Sequence, residues 1–258
     1  MIRLFSFLGG RLIWGLEHIG SFGLMAIQIL RCLPRIRSYW SLMIGQMIKI
    51  GLHSLPIVLI IAFFAGMVTS VQTGYQFQSY VPLYLVGSIV LESVVLELAP
   101  VLGALVLSGR VGATIAAEIG TMKVTEQIDA MEVMAMNPII YLAIPRILAG
   151  MFMLPVLVVF ADLIGVLSGM VVAVNTMDVT TQEFIKGMRQ FFRTKDAYFG
   201  LSKAFAFGLT ITSVACYQGF KVRPGSGAEG VGAATTNTVV VSCVLILMLD
   251  YLLARTLL

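Results

Sequence analysis

Four carboxylates stand where hydrocarbon would be expected. Glu92 and Glu97, Asp162 and Asp250 each fall inside a long apolar run of the 258-residue chain. An ionised group near the bilayer centre costs about 2.5–3.5 kcal/mol on insertion scales, so such groups face a polar cavity or a partner. Two kinds of chemistry are then open to them: holding the polar part of a cargo, or carrying a proton. Glu92 and Glu97 lie about 140° apart around a helix and do not make one paired site. Glu97 precedes Leu98-Ala99-Pro100, where the proline frees a backbone carbonyl and bends the helix. It is the best single candidate for a polar cavity wall, and structural pairing with Arg110, Arg255 or a backbone donor is the plain alternative. For Glu92, Asp162 and Asp250 the structural reading carries more weight, with Asp250 kept as a further polar candidate.

Hydrolytic, metal and nucleotide chemistry find no residues here. The sequence has no GxxxxGK[ST], no HExxH and no GxSxG. Gly225-x-Gly227-x-x-Gly230 matches a dinucleotide fingerprint in letters only, since that motif needs a preceding strand and an immediate helix. His18 and His53 are isolated. Cys32, Cys216 and Cys243 are scattered, giving neither a disulfide framework nor a metal site. The expectation is no catalytic residue, no metal and no cofactor in this chain, and no nucleic-acid partner.

The elements that must position the carboxylates are membrane helices. Only 12% of residues are charged, against about 25% in soluble domains, and the mean hydropathy is +0.96. Apolar runs predict five spans, near 51–71, 82–108, 147–174, 200–219 and 238–258. Residues 1–50 mix apolar positions with Arg3, Arg11, Arg31, Arg35, Arg37 and Lys49, and read as interfacial helices broken near Pro34. Gly165-x-x-x-Gly169 suits close helix packing. The excess of Lys and Arg places the N-terminus in the cytoplasm and the C-terminus outside. The 175–199 connection, with Lys186, Arg189, Arg193 and Lys195, disagrees with that rule.

Between Glu97 and Pro138 the chain reads ELAPVLGALVLSGRVGATIAAEIGTMKVTEQIDAMEVMAMNP. It begins apolar, passes through a glycine-punctuated middle, and ends in an amphipathic segment, 121–136, with Val124, Ile128, Met131 and Ala135 on one stripe. Thr121, Lys123, Glu126, Gln127, Asp129 and Glu132 supply its polar positions. A membrane helix running into a surface helix suits a channel gripped by a soluble motor, and suits an ordinary interfacial linker equally well.

This stretch resembles the signature of the MlaE/YrbE permeases, membrane subunits of ABC transporters that move phospholipids or other lipids between membranes. The resemblance rests on E-L-x-P, G-R-x-G, A-A-E-I-G-T-M and T-E-Q-I-D-A-M-E-V-M in order. It implies an all-α integral membrane protein in a bacterial inner membrane, forming one permease domain over 1–258 with an N-terminal interfacial helix and a cytoplasmic coupling helix. It implies a separate ATPase that binds the ATP and Mg, an MCE-domain ring on the outer side and, in some systems, a small STAS-domain protein. It also makes Glu118 a brace between the coupling helix and the second span. Five spans are few to enclose a two-chain lipid, so a homodimer with a shared cavity is expected. Its wall is assigned to Glu97, Val94, Val95, Leu98 and Val101 of the second span, with Tyr75 and Tyr80 at the outer mouth and Asp250 from the fifth span. The competing function is an ion-coupled secondary transporter using an intramembrane carboxylate. The lack of an internal repeat argues against it.

Overall fold

The computed structural model describes residues 20–31, 40–76, 82, 84–177 and 179–257. Among them there is no strand. A short helix, α1 (20–31), comes first. The first span joins α2 (Trp40–Met47) and the π-helical Ile48–Leu52 to α3 (Leu55–Gln76). The second joins α4 (Leu85–Ser93), the π-helical Val94–Leu98, α5 (Ala99–Leu107), the π-helical Ser108–Gly112 and α6 (Ala113–Val124). A short α7 (Gln127–Val133) leads to the π-helical Ile139–Ala143 and the long α8 (Ile144–Thr176). Then follow α9 (Thr181–Phe191), α10 (Thr194–Phe220) and α11 (Gly227–Leu257). Among the described residues five segments are long and apolar enough to cross a membrane, the number expected: Trp40–Gln76, Leu85–Val124, Ile139–Thr176, Thr194–Phe220 and Gly227–Thr256.

The spans run longer than the apolar runs that predicted them. At 1.5 Å per residue, the 40-residue Leu85–Val124 measures about 60 Å, twice a bilayer's hydrocarbon core. Arg110 and Glu118 do not end the helix, because each finds a partner inside the protein. Trp40–Gln76 forms one long apolar segment, so residues 40–50 of the expected interfacial region continue into the first span. Pro34 and the arginines at 3, 11, 35 and 37 lie outside the described residues, as do Cys32 and Tyr80.

Three of the four π turns among the described residues have a common cause. A proline removes the hydrogen bond to the carbonyl four residues earlier, and its ring clashes with that carbonyl. For Pro56, Pro100 and Pro145 that residue is Leu52, Leu96 and Tyr141, and each lies inside a π segment. The wider i→i+5 turn makes room for the displaced carbonyl. Pro155 is taken up within α8 without one.

Close backbone packing fixes the layout. Gly66 of α3 lies against the Gly165 carbonyl, and Gly169 sits over Val90, so any Cβ at these sites would collide. The Gly165-Gly169 pair is thus a packing seam. Gly87 of α4 meets the Phe184 carbonyl and Gly187 of α9 meets the Tyr84 carbonyl, while Phe184 itself is fully buried. These contacts place α9 at the α3–α4 end of the bundle, opposite the end carrying α6 and α7. The basic 175–199 connection thus lies at the opposite end of the bundle from α6 and α7, and the span count of five stands among the described residues.

The α9 helix starts with a reciprocal cap. The Glu183 backbone N–H donates to Thr180 Oγ1, and the Thr180 N–H donates to Glu183 Oε2 at 2.9 Å. Bonds from the Thr180 backbone, then from its hydroxyl, hold the Glu183 carboxyl below its usual range. A depressed carboxyl stabilises the folded form above its unfolded pKa, and the contribution is lost as pH falls through the lowered value. Amide exchange over 181–191, taken relative to the intrinsic rate at each pH, should therefore quicken on acidification. In Thr180→Ala it should be roughly fivefold faster at neutral pH, the effect of an ordinary N-cap loss.

Candidate functional site

The second span brings Glu97 against α10. Lys203 reaches across from α10 with its side chain fully buried. Its Nζ donates to Glu97 Oε1 at 2.7 Å and to the Leu96 carbonyl at 3.2 Å. The same nitrogen lies 2.7 Å from Asp250 Oδ1 on α11 and 4.5 Å from the centre of the Phe199 ring. The local sequence explains each contact. Pro100 has no N–H to offer Leu96, and the ammonium takes the orphaned carbonyl. Two carboxylates and one cation then leave a net charge of −1 at the triad when all three are ionised. Glu97 keeps 45% of its side chain exposed and Asp250 keeps 21%, so both are anchored by Lys203 and still reachable from outside it.

The sequence alone does not single out Lys203, and it offers Arg110 or Arg255 as the partner of Glu97. Arg110 instead donates to the Ser54 hydroxyl. The available signal was one lysine in the apolar FGLSKAFAFGL run of the fourth span, the cation that two intramembrane carboxylates require.

The apolar wall assigned around Glu97 is only partly assembled. Val94 is buried against Gly165 of α8, and Val95 is buried with its carbonyl against Gly200. Leu98 lines a narrow apolar crevice with Val58, Ala62 and Ala161. Val101 is half-buried against the core. The π turn is the reason: it adds a residue to the helical turn, so Val94 and Glu97 do not share the face that α-helical spacing would give them. Tyr75 is highly exposed at the end of α3. Asp162 Oδ1 is buried with no hydrogen-bond partner among the described residues, while Glu92 is half-buried.

At the other end, the expected single helix over 121–136 is broken. Thr121 and Lys123 finish α6, and the chain reverses at Glu126, which adopts φ 59°. Gln127, Asp129, Met131 and Glu132 then lie on or beside the short α7. Lys123 Nζ pairs with Asp129 Oδ1 at 2.5 Å across the break, so Asp129 is engaged within the chain. Ile128 is buried, whereas Val133 is 88% exposed and Met134 63%. Ala135 also takes a positive φ, 58°. The stripe expected through Val124, Ile128, Met131 and Ala135 is therefore carried inward mainly by Ile128. Glu118 lies on α6 itself, not between a coupling helix and the second span. Its Oε2 accepts from the buried Arg146 at 2.8 Å, and its Oε1 lies 3.7 Å from Lys49. It ties together the first three spans.

A family model described as Permease MlaE matches residues 43–256. This chain belongs to the MlaE permease family. It is 39% identical over 255 residues to a probable ABC transporter permease protein of Rickettsia felis, covering 99% of this chain and 98% of that one. It is 34% identical over 254 residues to the intermembrane phospholipid transport system permease protein MlaE of Haemophilus influenzae, covering 98% and 97%. A probable ABC transporter permease protein of Synechocystis is 37% identical over 209 residues, 81% of this chain and 79% of that one. This MlaE-family chain is a multi-pass membrane permease of the ABC-transporter class.

Proposed function

We propose that this permease moves phospholipid between the two membranes of a bacterial envelope, drawing energy from ATP hydrolysed on a separate ATPase subunit. The observation that carries the reading is the Glu97–Lys203–Asp250 triad, a charged group joining three long apolar helices with Glu97 still 45% exposed. A two-chain lipid requires that combination: apolar surface for the chains and a few charges for the headgroup. The role of Glu97 is positioning, since no covalent bond of the lipid is broken. The lipid cargo is also supported by the name of the Haemophilus influenzae relative.

Two copies of this chain form the path. The α11 helix supports this, because Val240, Val244, Leu247, Met248 and Tyr251 are exposed along it and a single five-helix chain encloses little. The ATPase docks at α7, an MCE-domain ring collects lipid on the outer side, and a STAS-domain protein joins some assemblies of this kind. The chain sits in the inner membrane with α6 and α7 cytoplasmic and the end of α11 periplasmic, the orientation that the Lys and Arg distribution favours. A purified assembly with one copy of this chain would overturn the dimer.

Asp162, whose Oδ1 is buried with no hydrogen-bond partner among the described residues, is the one observation that favours a proton-coupled carrier instead. Lipid transfer in proteoliposomes separates the two. The proposed function requires transfer to stop without ATP and to survive collapse of the proton gradient. It also expects Asp162→Asn to transfer lipid within about twofold of the natural chain, since neutralising an unpaired intramembrane acid removes a cost. Transfer that persists without ATP and fails in Asp162→Asn would establish the carrier.

A further inference from the structure

A second charged site lies between the first two spans, away from the triad. Lys49, His53, Arg110, Thr114 and Glu118 surround a crevice of about 210 Å³, with Ile115 on its apolar floor. Its charges do not balance. The single carboxylate, Glu118, is shared by Arg146 and Lys49. The Arg110 guanidinium donates to the uncharged Ser54 hydroxyl. With the buried Arg146 already pairing Glu118, the cations Lys49 and Arg110 that line the crevice leave it with surplus positive charge among the described residues.

Depth identifies what such a surplus would meet. A hydrocarbon core takes about 20 helical residues. Counted inward from Gln76 on the first span and from Leu85 on the second, the core ends near Pro56 and Leu105. His53, Lys49 and Arg110 all lie just beyond those points, and the hydrogen bond between Ser54 and Arg110 shows that the two helices are level there. The crevice is therefore in the headgroup layer. One to three turns further along the first span, on α3, Ile57, Ile60 and Phe64 are exposed at i, i+3 and i+7, one apolar stripe reaching into the core.

We infer that this crevice binds the phosphodiester of an anionic phospholipid from the surrounding leaflet, with an acyl chain lying along the α3 stripe. Basic pockets between membrane helices hold anionic headgroups through the same charge-assisted contacts. Arg110 and Lys49 supply the cationic donors, and His53 and Thr114 flank the headgroup. The inference is independent of what the permease transports.

The test uses the permease with its ATPase in nanodiscs of phosphatidylcholine containing one-tenth phosphatidylglycerol, with retained lipid counted by native mass spectrometry. Retention of phosphatidylglycerol over phosphatidylcholine by at least about fivefold is expected. The preference should fall to near parity in Lys49→Gln and in Thr114→Glu, which sets a negative charge at an exposed rim position. Lys49→Arg should keep it, showing that the loss follows charge and not misfolding. Millimolar inorganic phosphate should not displace the bound lipid. Equal retention of both lipids, or a preference that survives both variants, would overturn the inference. Saturable binding of labelled phosphate that phosphatidylglycerol does not compete away would reassign the crevice to a free anion and overturn it as well.

Discussion

Lys203→Met should be the most damaging single change in the membrane core. It leaves Glu97 and Asp250 facing each other with no cation and returns the Leu96 carbonyl to an unpaired state. Removing one partner of a buried ion pair costs about 3–5 kcal/mol. The lower end applies here, because Glu97 is half exposed and its charge is screened from that side. The purified variant should unfold at a markedly lower temperature in detergent and assemble poorly with its ATPase. Adding Asp250→Asn to Lys203→Met should recover part of the loss, since the two positions share one interaction and their effects are not additive. Glu97→Gln is the gentler probe. It leaves Lys203 paired with Asp250, so folding and assembly should persist while lipid transfer changes. A Lys203→Met chain as stable as the natural one would mean that the triad does not hold these helices together.

The second large effect belongs to the turn between α6 and α8. Val133 and Met134 project from the end of α7, and Glu126 lies exposed at the reversal. Exposed apolar residues on a rigid tip suit insertion into a partner's groove, where a central anchor is worth about 2 kcal/mol or more. Val133→Asp with Met134→Asp should weaken ATPase binding by at least about 30-fold, the equivalent of that figure, while membrane insertion is unchanged. Charge reversal at Glu126 and Asp129 should let ATP hydrolysis continue without lipid transfer. Asp129 contributes by a route the sequence did not suggest, since its reversal also breaks the pair with Lys123 that fixes the turn. Normal coupling in both sets of variants would remove α7 from the contact.

Hydropathy made the architecture legible, because five long apolar runs leave few ways to cross a bilayer. It misjudged the ends of those runs for a physical reason. Arg110, Glu118 and Lys49 read as interruptions in a one-dimensional profile, yet in three dimensions they pair with Ser54, Arg146 and one another. Pro100 correctly signalled a freed carbonyl beside Glu97. What filled it was hidden, because Lys203 is 106 residues away in sequence and was read as part of an ordinary span. The displacement of Val94 from the Glu97 face depends on a π turn, which helical spacing does not encode. The break at Thr125-Glu126 had no sequence signal either, since glutamate seldom adopts a positive φ.

The central claim is that phospholipid passes the face of the second span bearing Glu97 and not the face bearing Val94. It is tested most directly by placing a photo-crosslinking residue at 97, and separately at 94, in the complete transporter supplied with labelled phospholipid and ATP. Replacing Glu97 leaves Lys203 and Asp250 as a neutral pair, so the helices should stay in register. ATP-dependent capture of lipid is expected at 97 and none at 94, where the side chain is buried against Gly165. Capture at 94 with none at 97 would contradict it.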